Sequence, residues 1–256
     1  MALMRKRFFY ILSPLTVLIV WETLTRLNFF DARFFPAPSL IFYELFFITP
    51  KEQLLNDIQA SLTRIVLGYV AGALFGILGG IALAQCPRLR AVVYPLIAIT
   101  YPIPKIAIFP LIMLVFGLGE LSKIVVVAIG TFFLVLINTL NGIDALAKIY
   151  HDVAYIYRIS LWNRLLHIII PGALPSIFTG LRLAIGYSLV IVVAAEFSGA
   201  EAGIGYRIWA AWETFSIKSL YGGIFIIGLL GLLSSIAIDR LEKWLIPWRE
   251  QRAPYS

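Results

Sequence analysis

Six apolar runs, near 8–26, 61–85, 91–116, 121–143, 175–197 and 219–238, come close to or exceed the roughly 20 residues a helix needs to cross the hydrocarbon core of a bilayer. Between them they take up most of the chain. Hydrophobic residues make up 61% of the 256 and charged residues only 14%, with a mean hydropathy of +0.91. Soluble domains carry about 25% charged residues. A chain this poor in charge could bury a soluble core but could not cover the apolar surface left over. The expected fold is an all-α membrane protein, a single transmembrane domain over 1–256 with six transmembrane helices. The single cysteine, Cys86, excludes an intrachain disulfide and a thiolate metal cluster.

The cations set the orientation. Arg5, Lys6 and Arg7 precede the first run, Arg88 and Arg90 fill the turn after the second, and Lys148, Arg158 and Arg164 sit in the polar stretch after the fourth. Arg240, Lys243, Arg249 and Arg252 follow the sixth. An even number of crossings puts all four groups on one side, as the positive-inside rule requires. Both termini and the loop 144–174 are therefore expected in the cytoplasm. Asp31, Glu44, Glu52, Asp57, Glu120, Glu201 and Glu213 then fall on the opposite face. The net charge of +7 reads as orientation and contact with membrane lipid, not nucleic-acid binding. Pro14 and Trp21-Glu22 interrupt the first run and no small-x-small site follows, which argues against a cleaved signal sequence. Ser39 is placed to cap a short helix that stops before Pro50.

Within the runs, Gly68, Gly72, Gly76 and Gly80 recur every four residues. Positions four apart share a helix face, so they form a groove for close helix packing, either inside the chain or at a subunit interface. Pro95, Pro102, Pro104 and Pro110 cannot share one straight hydrogen-bonded helix. Lys105 lies among them, where facing lipid would be costly. Pro102, Pro104 and Lys105 are thus candidates for a broken span beside a pathway or gate, with a structural partner for Lys105, or snorkelling, as the alternative. Arg182 is expected to snorkel toward the cytoplasmic headgroups. Arg64 and Glu196 fall at similar depth near the outer face, where they can form an ion pair.

Several kinds of chemistry are missing. No Gly-Lys dipeptide occurs, so the chain has no phosphate-cradling loop of its own. His151 and His167 lack metal-ligand spacing, no metal site is expected, and no span carries an acidic proton relay at mid-depth. No nucleophile–base pair stands out, so the chain is not expected to be an enzyme.

The polar segment supplies a positive signal. Asp152-Val153-Ala154, then Arg158, Ser160 and Trp162, then Ile168-Ile169-Ile170-Pro171 and Ala173-Leu174-Pro175 closely resemble the EAA loop of binding-protein-dependent ABC importer permeases. FFPAPSLI, YPIPKIAIFPLIMLVFGLGELSK, LINTLNGI, GALPSIFTGLRLAIG and VVAAEFSGAEAGIGY look like the taurine, alkanesulfonate and nitrate branch of that family. The resemblance implies a six-helix permease in the bacterial cytoplasmic (inner) membrane, pairing with a second permease subunit, expected to be another copy. It also implies two ATP-binding subunits and a soluble substrate-binding protein. This chain would need no cofactor, and ATP and Mg would bind the ATPase subunits. The implied cargo is a small anion such as a sulfonate, nitrate or related oxyanion, although similar-looking permeases import pyrimidine precursors and other small solutes.

The resemblance also gives the loop a role: two short helices resting in a groove on the ATPase. Val153, Ile156 and Tyr157 supply an apolar side, Trp162 an anchor, and Arg158, Asn163 and Arg164 a polar rim; Asp152, Ala154, Ser160 and Pro171 complete the pattern. Two positions depart from it. Asp152 replaces the usual Glu, and Arg158 stands where the family usually has Gly, which tolerates positive φ better than a residue with a Cβ. Either the turn is made differently here, or this site meets a variant ATPase surface. The competing reading is a self-contained channel or secondary carrier whose loop is an amphipathic helix lying on lipid.

Overall fold

The protein, described from a computed structural model, is a bundle of long helices ordered around one central helix. The structure describes residues 2–248, with side chains from residue 12 onward except at 151. Arg249 and Arg252, and the side chains of Arg5, Lys6, Arg7 and His151, lie outside the described residues. In chain order the helices are α1 (Ala2–Arg26), α2 (Pro38–Tyr43, prolonged by a π-helical turn Glu44–Ile48), α3 (Lys51–Gln85) and α4 (Pro87–Thr100). They continue with α5 (Phe109–Phe116, preceded by a 3-10 turn Lys105–Ile108), α6 (Glu120–Asp144), α7 (Lys148–Ile156) and α8 (Leu161–Arg164). The last are α9 (Ile170–Glu196), α10 (Ile204–Glu213) and α11 (Ile217–Leu245).

Among the described residues, α3, α6, α11 and the continuous helix Leu161–Glu196 are long and apolar enough to cross a membrane. Pro87–Thr100 and Lys105–Phe116 meet at 92° and together make a fifth, broken span. Two helices outrun the apolar segments read from sequence. α3 begins at Lys51 because its polar first turns do not leave the helix when the apolar run stops; Asp57 and Ser61 are buried against other elements. The loop expected to last until 174 already belongs to the next span from Leu161 onward. Pro171 has no N–H to give to a carbonyl one turn earlier, and the π-helical turn Leu165–Ile169 just before it widens the helix without ending it.

α6 is the hub. Val126, Val127 and Val135 on it are buried between α3 and α9, and Leu136 and Leu140 between α3 and α4. The glycine stripe of α3 makes the first contact possible: Gly68, Gly72, Gly76 and Gly80 all face α6. A Cβ at Gly72 would lie 2.3 Å from the Ala128 carbonyl oxygen, and one at Gly80 would lie 2.7 Å from Cβ of Thr139. The stripe therefore serves packing inside the chain. In hydrocarbon, where burying apolar side chains gains little, close backbone approach is what holds helices together. Hydrogen bonds add to it: Thr131 with Ser188 at 2.9 Å, and the Tyr69 hydroxyl donating to the Leu181 carbonyl at 3.0 Å. Outward faces of α3, α5 and α11 keep Leu, Val, Ile and Phe exposed, as lipid contact demands.

Two expectations are corrected. Ser39 does not cap α2; Ala37 occupies the N-cap position. Instead the Glu22 carboxylate of α1 accepts the Ser39 N–H (3.0 Å) and hydroxyl (2.8 Å), stapling α1 to the start of α2. Arg182 does not simply reach for headgroups. It donates to Asp239 (2.9 Å) and to Glu242, tying α9 to the far end of α11. Its neighbouring carboxylates, 57 and 60 residues along the chain, could not be seen as partners without the packing.

Candidate functional site

The expected coupling residues fall on a projecting segment at one end of the bundle. α7 exposes Ile149, Tyr150, Val153, Tyr155 (86% accessible) and Ile156, while Ala154 is buried. Tyr157 follows, and α8 begins with exposed Leu161 and Trp162 (67%). Short helices rarely persist on their own, and these carry their own stops and starts. α7 ends in a Schellman motif: Ile159 N–H donates to the Ala154 carbonyl (2.9 Å) and Arg158 N–H to the Tyr155 carbonyl (3.1 Å). The residue at the left-handed position of such a motif is usually Gly. Here it is Arg158, at φ 50°. Of the two ways to accommodate this arginine, the turn keeps its left-handed backbone. Ser160 then caps α8, its hydroxyl oxygen accepting the Asn163 N–H at 3.3 Å. Asp152 is exposed, and Asn163 lends its carbonyl to the His167 ring at 3.1 Å.

A residue with a Cβ in the left-handed region costs about 1 kcal/mol relative to Gly. Arg158→Gly is therefore expected to stabilise this turn. Hydrogen exchange of the Ile159 amide should slow several-fold, about fivefold for that energy; unchanged or faster exchange would show that the turn is not strained by the arginine.

The second element is the break between α4 and α5. Pro104 has no N–H to offer the Thr100 carbonyl, the bond a continuing helix would make. Lys105 takes that place. Its Nζ donates to the carbonyls of Thr100 (2.7 Å), Tyr101 (3.1 Å) and Ile103 (3.0 Å), and lies 4.2 Å from the centre of the Phe133 ring. A cation at a helix C-terminus also meets the favourable end of the helix dipole. Lys105 is 4% accessible, while Pro102 and Pro104 are exposed.

The third element sits at the end of the bundle opposite α7 and α8, and most of it was not legible in the sequence. Arg64 on α3, 2% accessible, makes a two-pronged contact with Glu120 (Nε 2.5 Å, Nη2 2.6 Å) at the start of α6. Its Nη1 reaches Glu196 at the end of α9 (2.6 Å) and the Ala202 carbonyl (2.8 Å). The expected Arg64–Glu196 pair is thus present, with further partners. Glu196 also accepts the Ser61 hydroxyl (2.8 Å) and the Gly205 N–H (2.7 Å), and Ser61 accepts the Ile204 N–H (2.8 Å). Asp57 accepts the Gly203 N–H (2.9 Å) and the Arg207 Nε (2.8 Å). Lys123 donates to the Leu118 and Gly119 carbonyls.

Each of these buried charges has an opposite charge or several hydrogen-bond partners, the condition under which burial is tolerated. Gly203, at φ 131°, allows the approach: a Cβ there would lie 2.5 Å from the Glu196 carboxyl carbon and 2.7 Å from Arg64 Nη1. Its position in the Gly-Ile-Gly triplet 203–205 is the one local signal that could have marked this loop as pressed against something.

The first and third elements are mechanically joined. Leu161–Glu196 is one continuous helical rod of 36 residues, about 54 Å long at 1.5 Å per residue. Trp162 stands at one end and Glu196 at the other. Among the described residues no cluster of His, Cys, Asp and Glu is arranged to hold a metal ion.

Comparison with known proteins bears on this geometry. Residues 61–251 match the family described as binding-protein-dependent transport system inner membrane component. The putative aliphatic sulfonates transport permease protein SsuC of Bacillus subtilis is 31% identical over 248 residues, covering 96% of this chain and 90% of that protein. The taurine transport system permease protein TauC of Escherichia coli is 32% identical over 237 residues, 91% of this chain and 86% of that protein. Among solved structures, an inward-facing MetNI methionine ABC transporter aligns with a TM-score of 0.64 at 15% identity, over 77% of this chain and 99% of the other. That likeness bears on the fold alone.

Proposed function

The chain belongs to the family of binding-protein-dependent transport system inner membrane components, and from that premise we propose that the segment 148–164 is where partner ATPases drive it. The protein is a multi-pass permease of the bacterial cytoplasmic membrane, the membrane subunit of an ABC importer. ATP and Mg bind and react on two separate ATPase subunits, a soluble binding protein delivers solute from outside, and a second copy of this chain completes the pathway. In this reading α1 is the sixth span, both termini are cytoplasmic, and the Arg64 cluster lies at the outer face.

The observation that carries the reading is the rod. A surface of exposed aromatic and aliphatic side chains, with Trp162 as its largest member, is fused through an unbroken helix to the buried Arg64–Glu196 cluster. Aromatic residues at the centre of a contact commonly dominate its energy. A tilt imposed on α8 by ATPase closure reaches the outer end as a rigid displacement, biasing a two-state equilibrium between outward- and inward-facing arrangements. Pro102, Pro104 and Lys105 shape the broken span beside the path, with Lys105 holding the break through its carbonyl contacts. The solute is a small sulfonate or related oxyanion, a choice supported by the aliphatic sulfonates and taurine for which the relatives are named.

The test is uptake of a labelled sulfonate such as taurine into proteoliposomes. Uptake should require ATP, the ATPase subunits and the binding protein. Trp162→Ala should lower it by about tenfold or more, the loss expected for a central aromatic anchor. Flux through vesicles holding this chain alone would favour the self-contained carrier, and uptake of a pyrimidine in place of the sulfonate would overturn the substrate class.

A further inference from the structure

Arg158 is held in a left-handed backbone conformation that glycine adopts at little cost, yet its side chain reaches into solvent and has no ion-pair partner among the described residues. The backbone hydrogen bonds of the Schellman motif hold that conformation, and among the described residues no side-chain contact of Arg158 adds to them. A non-glycine residue kept in such a region points to a task for its side chain. The charge around it gives the task a sign. Over 148–164 the described charged side chains are Lys148, Arg158 and Arg164 against one acid, Asp152. Asp144, which ends α6 just before this segment, is already engaged by both terminal nitrogens of Arg90 at 2.9 and 2.7 Å.

We propose that Arg158 is a specificity residue of the docking segment, placed at its turn to pair with a carboxylate on the rim of the cognate ATPase groove. The inference rests on the reading of 148–164 as the ATPase dock. The geometry favours a protein acceptor over a lipid headgroup. Headgroups are mobile and can meet an arginine on any unstrained helix position, whereas a fixed carboxylate needs a cation at a fixed place. The Schellman motif and the Ser160 cap fix that place between Tyr157 and Leu161, inside the exposed aromatic surface. A guanidinium suits the role because its planar fork can engage a carboxylate through two parallel hydrogen bonds. Such rim pairs act mainly on partner choice and association rate, with a marked dependence on salt.

The experiment measures binding of the purified cognate ATPase subunit to the full chain in nanodiscs, at low and at physiological salt. Arg158→Gly relaxes the backbone and removes the charge. It should weaken binding by about fivefold at low salt and flatten the salt dependence. Arg158→Glu should weaken it further, beyond about tenfold, and Arg158→Lys should keep most of the salt dependence. Equal or tighter binding by Arg158→Gly with the wild-type salt slope would overturn the proposal, since the arginine would then be tolerated and not used. So would loss of binding to anionic vesicles with ATPase binding intact. Trp162→Ala separates the two layers: if it weakens ATPase binding while the Arg158 variants do not, the dock stands and the specificity role falls. If neither matters, the dock itself is misplaced.

Discussion

Arg64→Ala is expected to lose most of the folded protein. The substitution leaves Glu196, 1% accessible, without its ion-pair partner, and removes the donor that holds the Ala202 carbonyl and the exposed Glu120 carboxylate. Breaking a buried ion pair by deleting one partner costs about 3–5 kcal/mol. That is a large part of a total stability of about 5–15 kcal/mol. Glu196→Gln in the same chain should recover part of the loss, because the neutral amide no longer needs a counter-charge and can still accept from Ser61 and Gly205. The measurement is the thermal midpoint of the detergent-purified protein for the single and double variants. A single variant melting with wild type would show that the cluster is not holding α3, α6, α9 and the 197–204 loop together.

Gly72→Leu should be comparably severe for a different reason. Its Cβ alone would sit 2.3 Å from the Ala128 carbonyl oxygen and 2.7 Å from Cβ of Thr131, so the clash is with backbone that cannot rotate away. Overpacking a tight contact typically costs about 1–3 kcal/mol. Here the cost should lie at or above that range, since moving α3 away also opens the contacts at Gly68, Gly76 and Gly80. Gly228→Leu on α11 is the control: no heavy atom outside its own helix lies within 4 Å of a Cβ built there. Yield and monodispersity on size-exclusion chromatography should collapse for the first and hold for the second. Equal behaviour of the two would mean that the α3–α6 approach tolerates side chains.

What the sequence disclosed follows the physics that acts locally. Long apolar runs, a four-residue glycine period and proline-broken helix all leave marks within a single segment; among the described residues the glycine stripe, the broken span and four of the other apolar runs appear where they were expected. The Arg64–Glu196 pair was reachable from depth alone. Its companions were not, because Asp57, Ser61, Glu120 and Arg207 belong to three helices whose approach depends on the packing of α3 against α6 and α9. Taken singly, each reads as an ordinary residue of the polar face. Lys105 was visible as a buried cation, but its carbonyl partners could be named only once the 92° turn brought Thr100, Tyr101 and Ile103 around its amine. Arg182 was misjudged for the same reason, its acids being supplied by a distant helix. The end of the coupling loop was missed because Pro171 reads as a stop, whereas a π-helical turn lets the helix pass through it.

Arg158 shows how far local reasoning carries. Its place in the motif foretold a left-handed turn, and its chemistry argued against one; the backbone follows the motif and the side chain remains outward. That combination makes the segment 148–164 the most telling part of the molecule, since the docking role proposed for it would join the rod, the Arg64 cluster and the family into one mechanism.

The most direct test of that role is photocross-linking from position 162 in the assembled transporter, with a photoreactive amino acid in place of Trp162 and a second at exposed Phe47 as control. The account predicts a covalent adduct between position 162 and the ATPase subunit, with none from position 47. Adducts from position 162 to lipid alone, in a transporter that still imports solute, would contradict it.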